Sequence, residues 1–394
     1  MNGENVGGMT VKAATALLRS KVEENLKGKQ LKIAGEERVY TFAYPEISYK
    51  DDFNRVLASA RRNRSYTASV SYYLCGLDEA LGNICEFEKV ERVEPRAQFN
   101  LSGEPFEYFE GNDGRQVDFT RLKSDVLHSL CGGFEDVSLK YLKTFRRTSM
   151  SSVREQTALL GSFTTRYDSS NVNRSSNIRL AAELLNGVKV DGGKTFSFND
   201  SVGARLPERG FLPAKIIENG EFSEGVGGGV CQVSTTLYNA ALLSGMTVTE
   251  YHPHSLSVSY VEPSRDAMVS GSACDLKFRN PSAFPLYIRS HAADGLLTFE
   301  LYGKSDGAKY SVESVVTGDI EAKEEFSDDP SKVREGRAGL TSEGYLIIDR
   351  SGYVKRIRLR ADRYLPISRI VLSDSDQKDG KTPSDGGAEN ISNN

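Results

Sequence analysis

Gly225-Val226-Gly227-Gly228-Gly229-Val230-Cys231-Gln232-Val233-Ser234-Thr235-Thr236-Leu237-Tyr238-Asn239 is the stretch around which the rest of the chain arranges itself. Four glycines crowd the approach to a single cysteine, and a helical pattern starts directly after it. Val233, Leu237, Ala240, Ala241 and Ser244 share one face at helical spacing, and Gly245 supplies a stop. Cys231 is therefore expected at, or just before, a helix N-terminus, where unpaired backbone N–H groups and the positive end of the helix dipole favour an anion. A thiol so placed has a lowered pKa and more thiolate. Glycines there let the backbone come close to a substrate and direct N–H groups at a developing oxyanion. The plainer alternative is a small buried thiol that follows a tight turn.

What lies downstream favours chemistry. Glu250-Tyr251-His252-Pro253-His254-Ser255 carries two of the chain's four histidines. A cysteine with a histidine is the minimal pair for thiolate catalysis, because imidazole takes the thiol proton and returns it to a leaving amine. Cys231, His252 and His254 also suit zinc, although one proline separates the two histidines and no fourth ligand is evident.

With 394 residues the chain has room for two or three domains. A net charge of -4 and no dense Lys/Arg block argue against nucleic acid as a partner. The five cysteines form no disulfide framework. Cys75 and Cys85 are close enough in sequence to pair, and the odd count leaves at least one free thiol. No apolar run reaches membrane-spanning length, and Met1-Asn2-Gly3-Glu4 has no signal-peptide pattern.

Along the chain the expected class is α+β. Residues 1–155 read as a mixed α+β module. Thr10 caps a helix carrying Val11, Ala14, Leu17, Leu18, Val22 and Leu26; strands follow at Leu31–Ile33 and Val39–Phe42, then helices at Phe53–Ala60 and Phe119–Leu130. His128 falls on the last of these without a partner, and Arg61-Arg62-Asn63-Arg64 reads as a solvated helix end. Residues 156–305 form a central α+β domain of mostly antiparallel strands. A strand covers Leu160–Tyr167, a helix carries Ile178, Ala181, Ala182 and Leu185, and Val190–Asn199 is strand, turn, strand. Alternating Leu256, Val258 and Tyr260 predict a half-buried strand over Ser255–Tyr260, followed by strands at Asp275–Arg279, Leu286–Ser290 and Leu297–Tyr302. Residues 306–372 read as a small β-module, and residues 373–394, with little to bury, as a disordered tail.

Leu160-Gly161-Ser162-Phe163-Thr164-Thr165, Asn177-Ile178-Arg179-Leu180-Ala181-Ala182, Phe196-Ser197-Phe198-Asn199, Arg209-Gly210-Phe211, the Gly227–Asn239 run, His252-Pro253-His254-Ser255 and Gly271 near Asp275-Leu276 together resemble the VanW domain. The resemblance covers about Leu159 to Gly303 in the family's order of motifs. Asn2 to Thr10 resembles the opening of the peptidoglycan-binding module that often precedes this domain, which in such proteins follows an N-terminal membrane anchor. The resemblance implies an extracytoplasmic, anchored L,D-transpeptidase that forms 3-3 peptidoglycan cross-links through a cysteine acyl-enzyme, with stem peptides as partners and no cofactor. The Ser-His-Gly-Cys signature of YkuD-type enzymes is absent, since Cys231 follows Gly-Gly-Val. A non-catalytic cell-wall-binding protein and a zinc-dependent hydrolase are the alternatives.

On this reading Cys231 is the nucleophile and His254 the base. His252 is the second choice for base, its plainer role being to cap a turn. Asp266 either orients the imidazole or pairs with Arg265. Arg265 or Arg209 holds the substrate's terminal carboxylate, or each is structural. Gly228 and Gly229 let substrate approach, Gln232 donates to the oxyanion, and Ser234, Thr235 and Thr236 either shape the pocket or cap backbone N–H groups.

Overall fold

The computed structural model describes residues 1–218, 221–271 and 273–373. The chain is α+β, with several small and mostly antiparallel sheets. It divides into two compact units, one of Met1–Arg96 with Phe109–Met150, the other of Ala97–Tyr108 with Ser151 onward.

In the first unit Thr10 caps the helix Val11–Lys27 by accepting from the Ala13 N–H (3.3 Å). The helix Phe119–Gly132 starts where expected, capped by the Asp118 carboxylate, which accepts from the Arg121 N–H at 3.0 Å. The helix Leu77–Glu88 had no expectation from sequence; it buries Leu81 and Ile84 in a core with Leu31, Ile33, Val126 and Leu130. Gln30–Ala34 pairs antiparallel with Val39–Ala43 and parallel with Val137–Ser138.

The second unit is built on an antiparallel sheet in the order Ala158–Arg166, Leu296–Gly303, Leu286–Ala293, Lys189–Val190. Thr195–Ser197, Lys277–Arg279 and Thr247–Glu250 make a second sheet, and Pro213–Glu218 pairs with Glu221–Val226 as a hairpin. The helices Val172–Leu185 and Val230–Leu243 lie in the core with Phe196, Phe198, Phe278, Phe299 and Leu301. Val312, Leu346 and Leu359, from the long strands Lys309–Ile320, Gly339–Arg350 and Tyr353–Tyr364, pack against the same core.

The helix Val230–Leu243 is buried on nearly every side rather than along one stripe. Its polar positions tolerate this because each finds a hydrogen-bond partner, as burial without one would be costly. Ser234 Oγ donates to the Ala267 carbonyl (2.5 Å), Thr236 Oγ1 to that of Gln232 (2.7 Å), and Asn239 Nδ2 to that of Arg265 (2.8 Å).

Ser255–Tyr260 is not a strand: the chain there bends without entering a ladder. Its carbonyls are taken by the C-terminal strands and loops instead. Ser255 O accepts from the Leu365 N–H (2.7 Å) and Ser257 O from Arg337 Nη2 (2.6 Å). Phe198–Val202, where a strand was expected to end, is a short helix capped by Ser197. The five cysteines, Cys75 and Cys85 included, are free thiols. Of the expected disordered tail, Ser373 bonds to Ser327, and residues 374–394 lie outside the described residues.

Candidate active site

The glycine run ends as the sequence predicts, with Cys231 the second residue of a helix. Gly229 caps that helix at φ 108°, a left-handed conformation that side chains rarely adopt. A Cβ there would lie 3.0 Å from Ile178 Cγ1 and 3.1 Å from Arg174 Cγ, so the position excludes a side chain by space as well. Gly228 is closed by the hairpin, a Cβ meeting the Lys215 carbonyl oxygen at 2.7 Å.

Cys231, half-buried, opens onto a cleft of about 630 Å³, and His254 stands on the same wall. His254 is 5% exposed and Asp266 fully buried. Asp266 Oδ2 accepts both the His254 backbone N–H and the ring Nδ1–H, each at 2.7 Å. That leaves Nε2 on the side of Cys231, whose Sγ–H donates to the Val269 carbonyl at 3.4 Å and whose charge acts on the imidazole. Burial alone would lower the imidazole, but Asp266 and Cys231 raise it to about 9. Burial would likewise raise the thiol, yet His254, with Arg205 nearby, holds it below the ordinary thiol range. Both directions favour a thiolate–imidazolium pair.

Asp266 does not pair with Arg265, whose Nε donates to Asn239 Oδ1 (3.0 Å) and whose Nη1 meets Glu262 (3.1 Å). Its second oxygen, Oδ1, accepts from Tyr364 Oη at 2.6 Å and Arg360 Nη2 at 3.2 Å. Arg360 Nη1 also donates to the Asp266 backbone carbonyl (2.5 Å). Burial would raise this carboxyl, but His254, Arg360 and Tyr364 keep it below the usual carboxylate range.

Other expected residues fall elsewhere. His252 Nε2 pairs with Glu250 Oε1 (3.1 Å), and this histidine does not line the cleft. Nor does Arg209, whose Nη1 donates to the Ala204 carbonyl at 2.7 Å. Gln232 borders the cleft, but its amide N–H groups are spent on Thr165 Oγ1 (3.1 Å) and the Arg166 carbonyl (2.8 Å). Its Oε1 accepts from Arg174 Nη2 (3.1 Å), so it orients a cation rather than an oxyanion. Ser234, Thr235 and Thr236 are fully buried; Ser234 and Thr235 pin the segment that carries Asp266, the Ala267 N–H donating to Thr235 Oγ1 (2.9 Å). Among the described residues no three His, Cys, Asp or Glu side chains converge as metal ligands, and the Cys231–His252–His254 set is not assembled.

The cleft's cations are ones the sequence did not single out. Arg166, Arg174, Arg205, Lys215 and Arg337 line it against one acid, Asp168, whose Oδ1 already accepts from the Ser170 hydroxyl (2.7 Å) and amide (2.9 Å). Arg174 and Arg205 are half-buried and bond to neutral amides, Arg205 Nη2 to Asn199 Oδ1 at 2.6 Å. Tyr260 also faces the cleft, its phenol raised well above the usual range by burial and by the Cys231 charge. Nothing in local spacing marks these residues, since they come from separate elements.

Residues 173–302 match a family model described as VanW like protein. The chain is 44% identical over 146 residues to the uncharacterized protein YoaR of Bacillus subtilis (strain 168), covering 37% of this chain and 48% of that protein. It is 32% identical over 114 residues to the Vancomycin B-type resistance protein VanW of Enterococcus faecalis (strain ATCC 700802 / V583), covering 27% and 41%. The chain thus spans about half the length, or less, of these curated relatives. No solved structure matches it. Cys231, His254 and Asp266 lie within the matched span; Arg360 and Tyr364 lie beyond it.

Proposed function

We propose that this VanW-domain protein is a cell-wall acyltransferase, a peptidoglycan L,D-transpeptidase that makes 3-3 cross-links through a thioester on Cys231. The observation that carries the reading is Cys231 and His254 side by side in a cation-lined cleft, with the imidazole held by the buried Asp266. Similarity to a protein named for vancomycin resistance supports a role at the cell wall.

In the first half-reaction the Cys231 thiolate attacks the carbonyl carbon of the scissile amide in a donor stem peptide. A C–S bond forms, and the carbonyl oxygen becomes an oxyanion near the glycine loop. The C–N bond then breaks, and His254 Nε2–H gives its proton to the departing amine. In the second half-reaction the side-chain amine of an acceptor stem attacks the thioester. His254 takes the amine's proton, the new amide leaves, and the thiolate returns. Arg174 and Arg205 hold carboxylate groups of the donor in place of Arg209 and Arg265, since both line the cleft and donate there to the neutral amides of Gln232 and Asn199.

On this reading the protein works outside the cytoplasmic membrane, where its stem-peptide partners are. Residues 1–155 act as a peptidoglycan-binding module and an N-terminal anchor holds the chain at the surface. No helix among the described residues is long and apolar enough to cross a membrane. Incubating the protein with purified disaccharide-tetrapeptides and reading the muropeptides by mass spectrometry tests the proposal. Dimers with a 3-3 link and a Cys231 acyl adduct are the expected products. Retention of muropeptides without new covalent products would favour the non-catalytic cell-wall binder.

A further inference from the structure

We propose that Arg360 and Tyr364, from the strand Tyr353–Tyr364, are positioning residues for the nucleophile, holding Asp266 in the one orientation that lets it grip His254. The inference rests on the reading of Cys231–His254–Asp266 as the reactive group. It adds that the reactive group is completed by residues 58 or more positions beyond the family match, which ends at residue 302.

The geometry divides the carboxylate's two oxygens between two tasks. Oδ2 is given wholly to His254, backbone and ring. Oδ1 is given wholly to Tyr364 and Arg360. With one oxygen held by the clamp, the carboxylate cannot turn away from the ring. Arg360 is itself fixed, because Asp362 accepts from its Nε and the Tyr251 ring lies under its guanidinium at 4.7 Å. Tyr364 is fixed as well, fully buried and accepting the Ser264 N–H at 2.7 Å.

A buried carboxylate needs such donors to stay ionised, and an ionised Asp266 is what keeps a proton on His254 beside the thiolate. Among the described residues the charged and titratable groups that face this run are Arg205, Tyr260 and Cys274 beside the thiol, and Tyr238, Asp362, Arg360 and Tyr364 around Asp266. Only Arg360 and Tyr364 donate to Asp266 Oδ1 among the described residues.

The test is the pH dependence of Cys231 alkylation by iodoacetamide in the full chain, read by peptide mass spectrometry beside a thermal melt. In the wild type the alkylation midpoint should lie below that of the exposed Cys75 and Cys131. Tyr364→Phe and Arg360→Met should each move the Cys231 midpoint upward, with alkylation at pH 6 falling about tenfold, the scale of one charge-assisted hydrogen bond. Arg360→Lys should recover part of the shift by restoring one donor and the charge. Tyr364→Phe removes only a hydroxyl, so it keeps the test open where Arg360→Met does not fold. A Tyr364→Phe profile that superimposes on the wild type overturns the proposal, including where its melt alone has dropped. Cross-link formation is not the readout, so a failure of the transpeptidase reading registers separately in the muropeptide assay. A wild-type Cys231 that alkylates like an ordinary thiol also overturns the clamp, because it would have nothing to sustain.

Discussion

At the scale of single residues, the Cys231 thiol is surrounded by groups that favour its anion, and each makes a distinct contribution. The imidazole beside it is held charged to about pH 9. Cys231→Ala should abolish cross-linking with little change in fold, and Cys231→Ser should be nearly as inactive because a hydroxyl is far harder to ionise. His254→Ala should slow acylation by on the order of a hundredfold or more, the usual cost of losing a general acid–base. His252→Ala, removed from the cleft by its pairing with Glu250, should leave the rate within a few-fold. If the His252 variant is the slower of the two, the assignment of the base is wrong. The pH profile separates two steps. Below the lowered thiol value both alkylation and transfer should fall, since the nucleophile is protonated. Above about pH 9 the imidazolium loses its proton, so transfer should decline for want of an acid while alkylation, which needs only thiolate, continues. Parallel decline of both would remove His254 as the proton donor.

The helix and the loop that feeds it act as one element. Val230–Leu243 is packed on all sides, so its N-terminus has little freedom, and Cys231 inherits that rigidity. The turn into it depends on Gly229 at φ 108° with Ile178 and Arg174 close on either side. Gly229→Ala should therefore destabilise the chain by at least about 1 kcal/mol from the left-handed strain alone. It should also push Arg174 from its place beside Gln232 and weaken donor binding more than the chemistry, raising KM. Urea denaturation and steady-state kinetics on the same variant would check both, and an unchanged midpoint with unchanged KM would show that the turn tolerates a side chain.

Across the whole second unit, the strands after Gly303 are part of the working structure. Val312, Leu346 and Leu359 pack on the core that holds the Cys231 helix, and Tyr364 and Arg360 reach Asp266 from the same sheet. A chain cut after Asp306 should melt several degrees lower, since a few core aliphatics each contribute on the order of 1–3 kcal/mol when buried. Its Cys231 should alkylate like an ordinary thiol. Wild-type melting and alkylation in the shortened chain would show instead that the family-matched span suffices by itself.

The sequence by itself determined the α+β class, the helix that opens beside Cys231 and the glycine turn before it. All of these rest on neighbours within a few residues, where backbone sterics and helical period act directly. Asp266 was legible as a candidate because it lies 12 positions from His254, but its partner was not. Whether it faced Arg265 next door or the imidazole was decided by Arg360 and Tyr364, 94 and 98 residues away. The Ser255–Tyr260 alternation shows the same limit, since a two-residue period makes a strand only where a free edge exists to receive it. The cations of the cleft were invisible for the same reason. Arg174, Arg205 and Arg337 sit on three separate segments, and no local spacing records that they meet. They meet only where those segments pack around one cleft, and that is a property of the tertiary structure alone.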